Sequence, residues 1–141
     1  MLISFLLSIL LFSIPKSAEF ENVLRVTIQD AESDKGKVLI LVFDQEDGFP
    51  DQVDKAFRKF AIAPKNGKVE LELTDLPPGK YAFTVLHDAD NNEVMNTSFL
   101  GLPTEKYGFS NNPRIYFSPP SFEKAAISFD TESKSTVINL R

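Results

Sequence analysis

The sequence predicts an all-β domain, a seven-stranded antiparallel β-sandwich, on three observations. Short segments alternate apolar and polar residues with a period of two, Gly, Pro and Asn-Gly punctuation separates them, and no stretch carries the repeat of a long amphipathic helix. The chain has 141 residues, 43% of them hydrophobic and 13 of them Phe, which suffices for one packed domain. No internal repeat or low-complexity linker divides it, and a single domain is expected over residues 22–141.

Met1–Ile14 is apolar throughout but shorter than the roughly 20 residues a spanning helix needs, so residues 1–18 read as a secretory signal peptide. No Lys or Arg precedes the apolar run, and cleavage after Ala18 places Lys16 where a small residue is preferred; an uncleaved anchor is the alternative. Cleavage leaves no membrane span in the mature chain, which is then exported to the periplasm, the cell surface or the medium.

The first strand is expected over Asn22–Gln29, where Leu24, Val26 and Ile28 alternate with Arg25 and Thr27. A polar turn ending at Gly36 leads to the second, Lys37–Phe43, whose unbroken apolar run suits a central strand covered on both faces. Asp51–Phe57 offers a helical turn, with Val53 and Phe57 spaced as core anchors. Phe60 and Ile62, then Val69, Leu71 and Leu73, mark two strands joined as a hairpin by Asn66-Gly67. The turn Leu76-Pro77-Pro78-Gly79 opens the fifth strand, Lys80–His87, and Ala125–Phe129 with Thr136–Leu140 form a last pair around a polar turn. Val26, Ile28, Ile40, Val42, Phe60, Leu71, Tyr81, Phe83, Val85 and Ile138 are expected to share one core.

Between the fifth strand and that last pair lies His87–Pro113, a stretch longer than ordinary loops. Met95, Phe99, Leu100, Leu102, Tyr107 and Phe109 are expected to anchor it inward, too many apolar anchors for disorder, and any function is expected there. A net charge of −5 lacks the clustered cations a nucleic-acid surface needs. The absence of cysteine excludes disulfides, zinc–thiolate sites and thiol nucleophiles.

The blocks LPPGKYAFTVLHDADNN, FLGLPTEKYGFSNNP and SFEKAAISF resemble the DUF2141 family of small exported bacterial proteins. The resemblance runs from about Val23 onward and implies a transthyretin-like or carboxypeptidase-regulatory-like sandwich, with no established activity. The family loop pattern runs H-D-x-N-x-N-G-x-x-D; here Asp90 stands at the first Asn, Glu93 at the Gly and Asn96 at the final Asp.

Asp88, Asp90, Asn92 and Asn96 fall at positions 1, 3, 5 and 9 of a calcium-loop template, with the Val94 carbonyl at position 7. Glu93 occupies the Gly position and Phe99 the closing carboxylate, for which Glu105 is the substitute. The competing reading is a loop whose Asx turns satisfy its own backbone. His87, the sole histidine, neighbours Asp88, but adjacent strand residues face opposite ways and no nucleophile motif accompanies them. Its expected role is to pin the loop mouth by hydrogen bonds. Tyr107 and Phe109, with Tyr116 and Phe117, offer an aromatic platform, and Asn111-Asn112 a turn beside it; packing onto the sandwich is the alternative.

Three functional readings follow. The first is a non-catalytic exported module, without a cofactor, that binds a protein, peptide or glycan through this loop, with His87, Tyr107, Phe109, Asn111 and Asn112 as contact residues. The second is a calcium-binding or calcium-stabilised module using Asp88, Asp90, Asn92, Asn96 and Glu105. The third is a small hydrolase using His87.

Overall fold

A computed structural model describes residues 22–130 and 132–141, so the expected signal peptide lies outside the described residues. The described chain forms β1 (Leu24–Gln29), β2 (Lys37–Phe43), β3 (Arg58–Ile62), β4 (Val69–Leu73), β5 (Gly79–Asp88), β6 (Tyr107–Phe109), β7 (Ile127–Phe129) and β8 (Lys134–Asn139). One sheet has the order β4-β1-β8; the other is β3-β2-β5-β6, with β7 added along the first residues of β5. The expected β-sandwich is what forms. Helix is confined to a 3-10 turn at Val53–Lys55 and to α1 (Phe122–Ala125), whose N-terminus Ser121 caps by accepting the Lys124 N–H. No helix among the described residues is long and apolar enough to cross a membrane.

The period-two pattern sets the core. Leu24, Val26 and Ile28 from β1 meet Val38, Ile40 and Val42 from β2 and Phe83 and Val85 from β5, all nearly free of solvent contact. Each such side chain contributes about 1.5–3 kcal/mol by leaving water. Leu71, Tyr81 and Ile138 join this core as expected, and Phe60 packs against it half-buried. β2 is central, between β3 and β5.

Several pairings differ from the sequence expectation. The Asn66-Gly67 turn forms, closed by backbone bonds between Lys65 and Lys68, but its two strands part: β3 pairs with β2 and β4 with β1. Pro64 removes a ladder donor just before the turn. Phe60 and Ile62 therefore approach the core from one sheet, while Val69 and Leu71 approach it from the other. The last two strands separate in the same way, since β7 pairs with β5 and β8 lies parallel to β1. The described strands number eight rather than seven, the addition being β6 inside the long loop, and one pair is parallel. Val53 is 50% exposed and Phe57 37%, so they do not anchor the core; Phe57 instead lies 5.7 Å from the Tyr81 ring with the Arg58 guanidinium over it.

A second apolar cluster covers the outer face of the larger sheet. Phe43, Ala82 and Phe109 receive Phe122 and Ala125, while Phe49 makes edge contacts with Phe43, Phe109 and Phe122 at 5.5–6.0 Å. Buried Ser110 ties this layer down, accepting the Phe83 N–H at 2.8 Å and donating to the Ala125 carbonyl.

At the other end of β2, the β1–β2 turn is stapled to the β3–β4 turn by Asp34, whose carboxylate accepts the N–H groups of Gly67 at 2.7 Å and Asn66 at 2.9 Å. These bonds, Gly67 first, hold its carboxyl below the usual carboxylate range. A depressed folded-state value means that the staple's stability is complete above the unfolded value of about 3.9 and is lost as pH falls through the lower folded one. Asp34→Asn should therefore flatten the acid limb, with urea midpoints at about pH 7 and about pH 3 differing less than in the parent. An equal difference in both proteins would contradict this role.

Candidate functional site: the loop between β5 and β6

β5 delivers His87 and Asp88 to opposite faces, opposite Val38 and Lys37 in the register. His87 is buried beneath the β1–β2 turn; its Nδ1 accepts the Glu32 N–H at 3.2 Å, and Nε2 lies 2.8 Å from the Lys35 carbonyl. A backbone N–H can only donate and a carbonyl only accept, so the ring is the Nε2–H tautomer with both nitrogens engaged. His87 thus pins the turn beside the loop mouth, and its backbone N–H donates to the Lys106 carbonyl at 2.8 Å.

Asp88 organises the loop. Its Oδ1 accepts from the Asn92 N–H at 3.1 Å and its Oδ2 from the Glu93 N–H at 2.9 Å, closing a tight turn. Glu105 braces that turn from the returning arm, accepting the Ala89 N–H at 3.2 Å and the Asn96 N–H at 3.1 Å. Asp90 accepts the Asn96 amide at 2.7 Å and the Asn92 N–H at 3.2 Å; these bonds, the amide first, draw its carboxyl below the usual range. The Asn92 amide donates to Asn96 Oδ1, while Asn92 Oδ1 accepts the Val94 N–H. Glu93, where the calcium-loop template has Gly, adopts φ +62°, a left-handed conformation that disfavours a side chain.

Oxygens of Asp88, Asp90 and Glu105 lie within 4.8 Å of one another. Every carboxylate oxygen already accepts an N–H, yet each retains a second lone-pair direction that a hard cation could use. Asn92 and Asn96 serve the network. Glu105, far along the sequence, does converge with the two aspartates.

Tyr107, Phe109, Asn111 and Asn112 pack against or bond to the scaffold. Phe109 is buried in the outer cluster and Tyr107 is half-buried beside it, their rings 6.0 Å apart. Asn111 donates to the Lys124 and Ala126 carbonyls, and Asn112 bridges to β8 through the Val137 carbonyl and the Asn139 N–H. Tyr116 and Phe117 are exposed. The expectation that apolar residues anchor the loop fails for Phe99, Leu100 and Leu102, which are 99%, 73% and 61% exposed. The polar network orders the loop and leaves these three outward. Composition registered them as apolar and gave no sign of their direction.

Two shallow clefts lie among the described residues beside the loop. One of about 380 Å³ is lined by Glu32, Glu105, Lys106, Tyr107 and Arg141, and one of about 150 Å³ by Lys37, Leu39, Asp88, Asn91 and Glu93. Neither has the apolar walls of a typical small-molecule site.

Comparison with known families gives a match, over residues 26–138, to a family described as an uncharacterized protein conserved in bacteria, DUF2141. The chain belongs to the DUF2141 family. No curated protein and no solved structure matches it. In this DUF2141 chain the matched span takes in the whole polar network that Asp88, Asp90, Asn92, Asn96 and Glu105 form.

Proposed function

We propose that this DUF2141 protein is a non-catalytic, exported interaction module that makes contact through the tip of its 87–113 loop. The supporting observation is the exposure of Phe99, Leu100 and Leu102 on a turn held by internal bonds. Large apolar side chains gathered on a soluble surface mark contact sites, and a fixed loop loses little freedom when it binds. Export is supported by the apolar Met1–Ile14 segment. The non-catalytic reading is supported by His87, which has neither ring nitrogen free for proton transfer.

The test is a photo-crosslinking residue at position 99, with position 27 on the polar face of β1 as control, in the native host. A discrete adduct from position 99 alone, on a chain lacking residues 1–18 outside the cytoplasm, is expected. Equal labelling from both positions, or a full-length cytoplasmic product, would contradict the reading.

A second reading, a calcium-stabilised module, is favoured by the convergence of Asp88, Asp90 and Glu105. Binding to the folded state alone stabilises by about 2.7 kcal/mol at a hundredfold excess over the dissociation constant. On this reading calcium raises the melting temperature more than magnesium does, and Asp90→Asn reduces the shift. A melting temperature indifferent to millimolar calcium would remove it.

A further inference from the structure

We infer that the partner of the loop tip is a lipid surface: Phe99, Leu100 and Leu102 enter the interfacial layer of an electrically neutral bilayer while the acidic base of the loop stays in water. This rests on the reading of the loop as the contact surface and names what it contacts. The first support is charge. The eleven residues between Glu93 and Glu105 carry none, whereas Asp88, Asp90, Glu93 and Glu105 crowd the base. An uncharged tip can leave water, and an acidic base on a chain of net charge −5 is repelled by anionic headgroups.

The second support is the backbone. The Ser98 N–H donates to the Leu102 carbonyl at 2.7 Å, the Gly101 N–H to the Ser98 carbonyl at 2.8 Å and the Thr104 N–H to the Asn96 carbonyl at 2.8 Å. Ser98 Oγ accepts the Leu102 N–H at 3.3 Å, and Pro103 has no N–H to satisfy. These bonds pair the backbone that flanks Phe99 and Leu100, and the interfacial layer still holds water for the amides of those two.

The third support is size. A stable protein interface takes about 800 Å² and roughly 20–30 residues from each partner. Three side chains on one turn fall far short of that, whereas interfacial binding scales with apolar area and needs no complementary shape.

The chain has no tryptophan, so Phe99→Trp places its one indole, excited selectively over the three tyrosines, at the tip. Val137→Trp, on the exposed face of β8, is the control. With phosphatidylcholine vesicles the Phe99→Trp emission should shift to the blue while Val137→Trp stays unchanged, and the unmodified protein should sediment with the vesicles at low and high salt alike. Adding phosphatidylglycerol should weaken binding at low ionic strength. Serine at both Phe99 and Leu100 should reduce partitioning about tenfold or more. Because these side chains bury little, thermal unfolding of that variant should match the parent and exclude misfolding as the cause.

Protein that remains in the supernatant at millimolar phosphatidylcholine, or a double variant that binds as well as the parent, would overturn the lipid assignment. If the vesicles fail while crosslinking from position 99 yields a discrete protein adduct, the partner is a protein and the module reading stands without a lipid. Failure of both would remove the contact reading itself.

Discussion

Gly36→Ala should lose about 3–5 kcal/mol of folding stability, a large part of the roughly 5–15 kcal/mol typical of a domain. Gly36 closes the β1–β2 turn at φ +67°, and a Cβ there would lie 2.0 Å from the Asp88 carbonyl oxygen and 2.7 Å from Ala89 Cα. Both are main-chain atoms, so no side chain can rotate aside; the start of β2 and the end of β5 must separate. That movement drags Asp88 away from the turn it caps and loosens the Lys35 carbonyl from His87. Gly101→Ala is the control, with a similar φ of +76° but nothing within 4 Å of the added carbon. It should show only the left-handed penalty of about 1 kcal/mol. Urea midpoints of the two variants measure the difference, and a Gly36→Ala midpoint no lower than that of Gly101→Ala would refute the close approach.

Asp88→Ala should cost about 2–4 kcal/mol, concentrated in the loop. It strands the Glu93 N–H and leaves the Asn92 N–H to Asp90 alone, and relief of repulsion with Asp90 and Glu105 offsets only part of the loss. Water reaches the opened turn, so exchange should accelerate at the amides of Ala89, Asn92, Glu93 and Asn96 while the amides of Val38–Val42 keep their protection. Asp88→Asn retains one acceptor oxygen and should fall between the two. Unchanged exchange at Asn92 and Glu93 in the alanine variant would show that other bonds hold the turn.

The strands were legible because alternation is local: each strand needs only its own residues to declare an inner face, and β1, β2, β4 and β5 lie where Leu24–Ile28, Val38–Val42, Val69–Leu73 and Tyr81–Val85 place them. Pairing was less legible. Asn66-Gly67 predicts a turn, and the turn forms, but whether its arms share a sheet depends on β1 and β2 competing for them. The outer cluster escaped notice because Phe49, Ile115 and Phe122 are isolated apolar residues with no period between them. In the loop, the calcium-loop spacing singled out Asp88 and Asp90 and offered Glu105 only as a substitute from further along, and oxygens of the three lie within 4.8 Å of one another. Direction did not follow from composition, so Phe99 and Leu102, expected inward, stand outward.

The parallel pairing of β1 with β8 sets an order of assembly. Val26 lies beside Thr136 and Ile28 beside Ile138, so one flank of the first strand is completed by residues 110 positions later in the chain. The opposite flank waits for β4, since Val26 faces Leu71. Closing contacts this distant is slow. A chain emerging from its N-terminus holds Leu24–Gln29 without a finished sheet until β8 has followed. On the export route proposed above, that delay would defer closure of the sandwich until the whole chain has crossed.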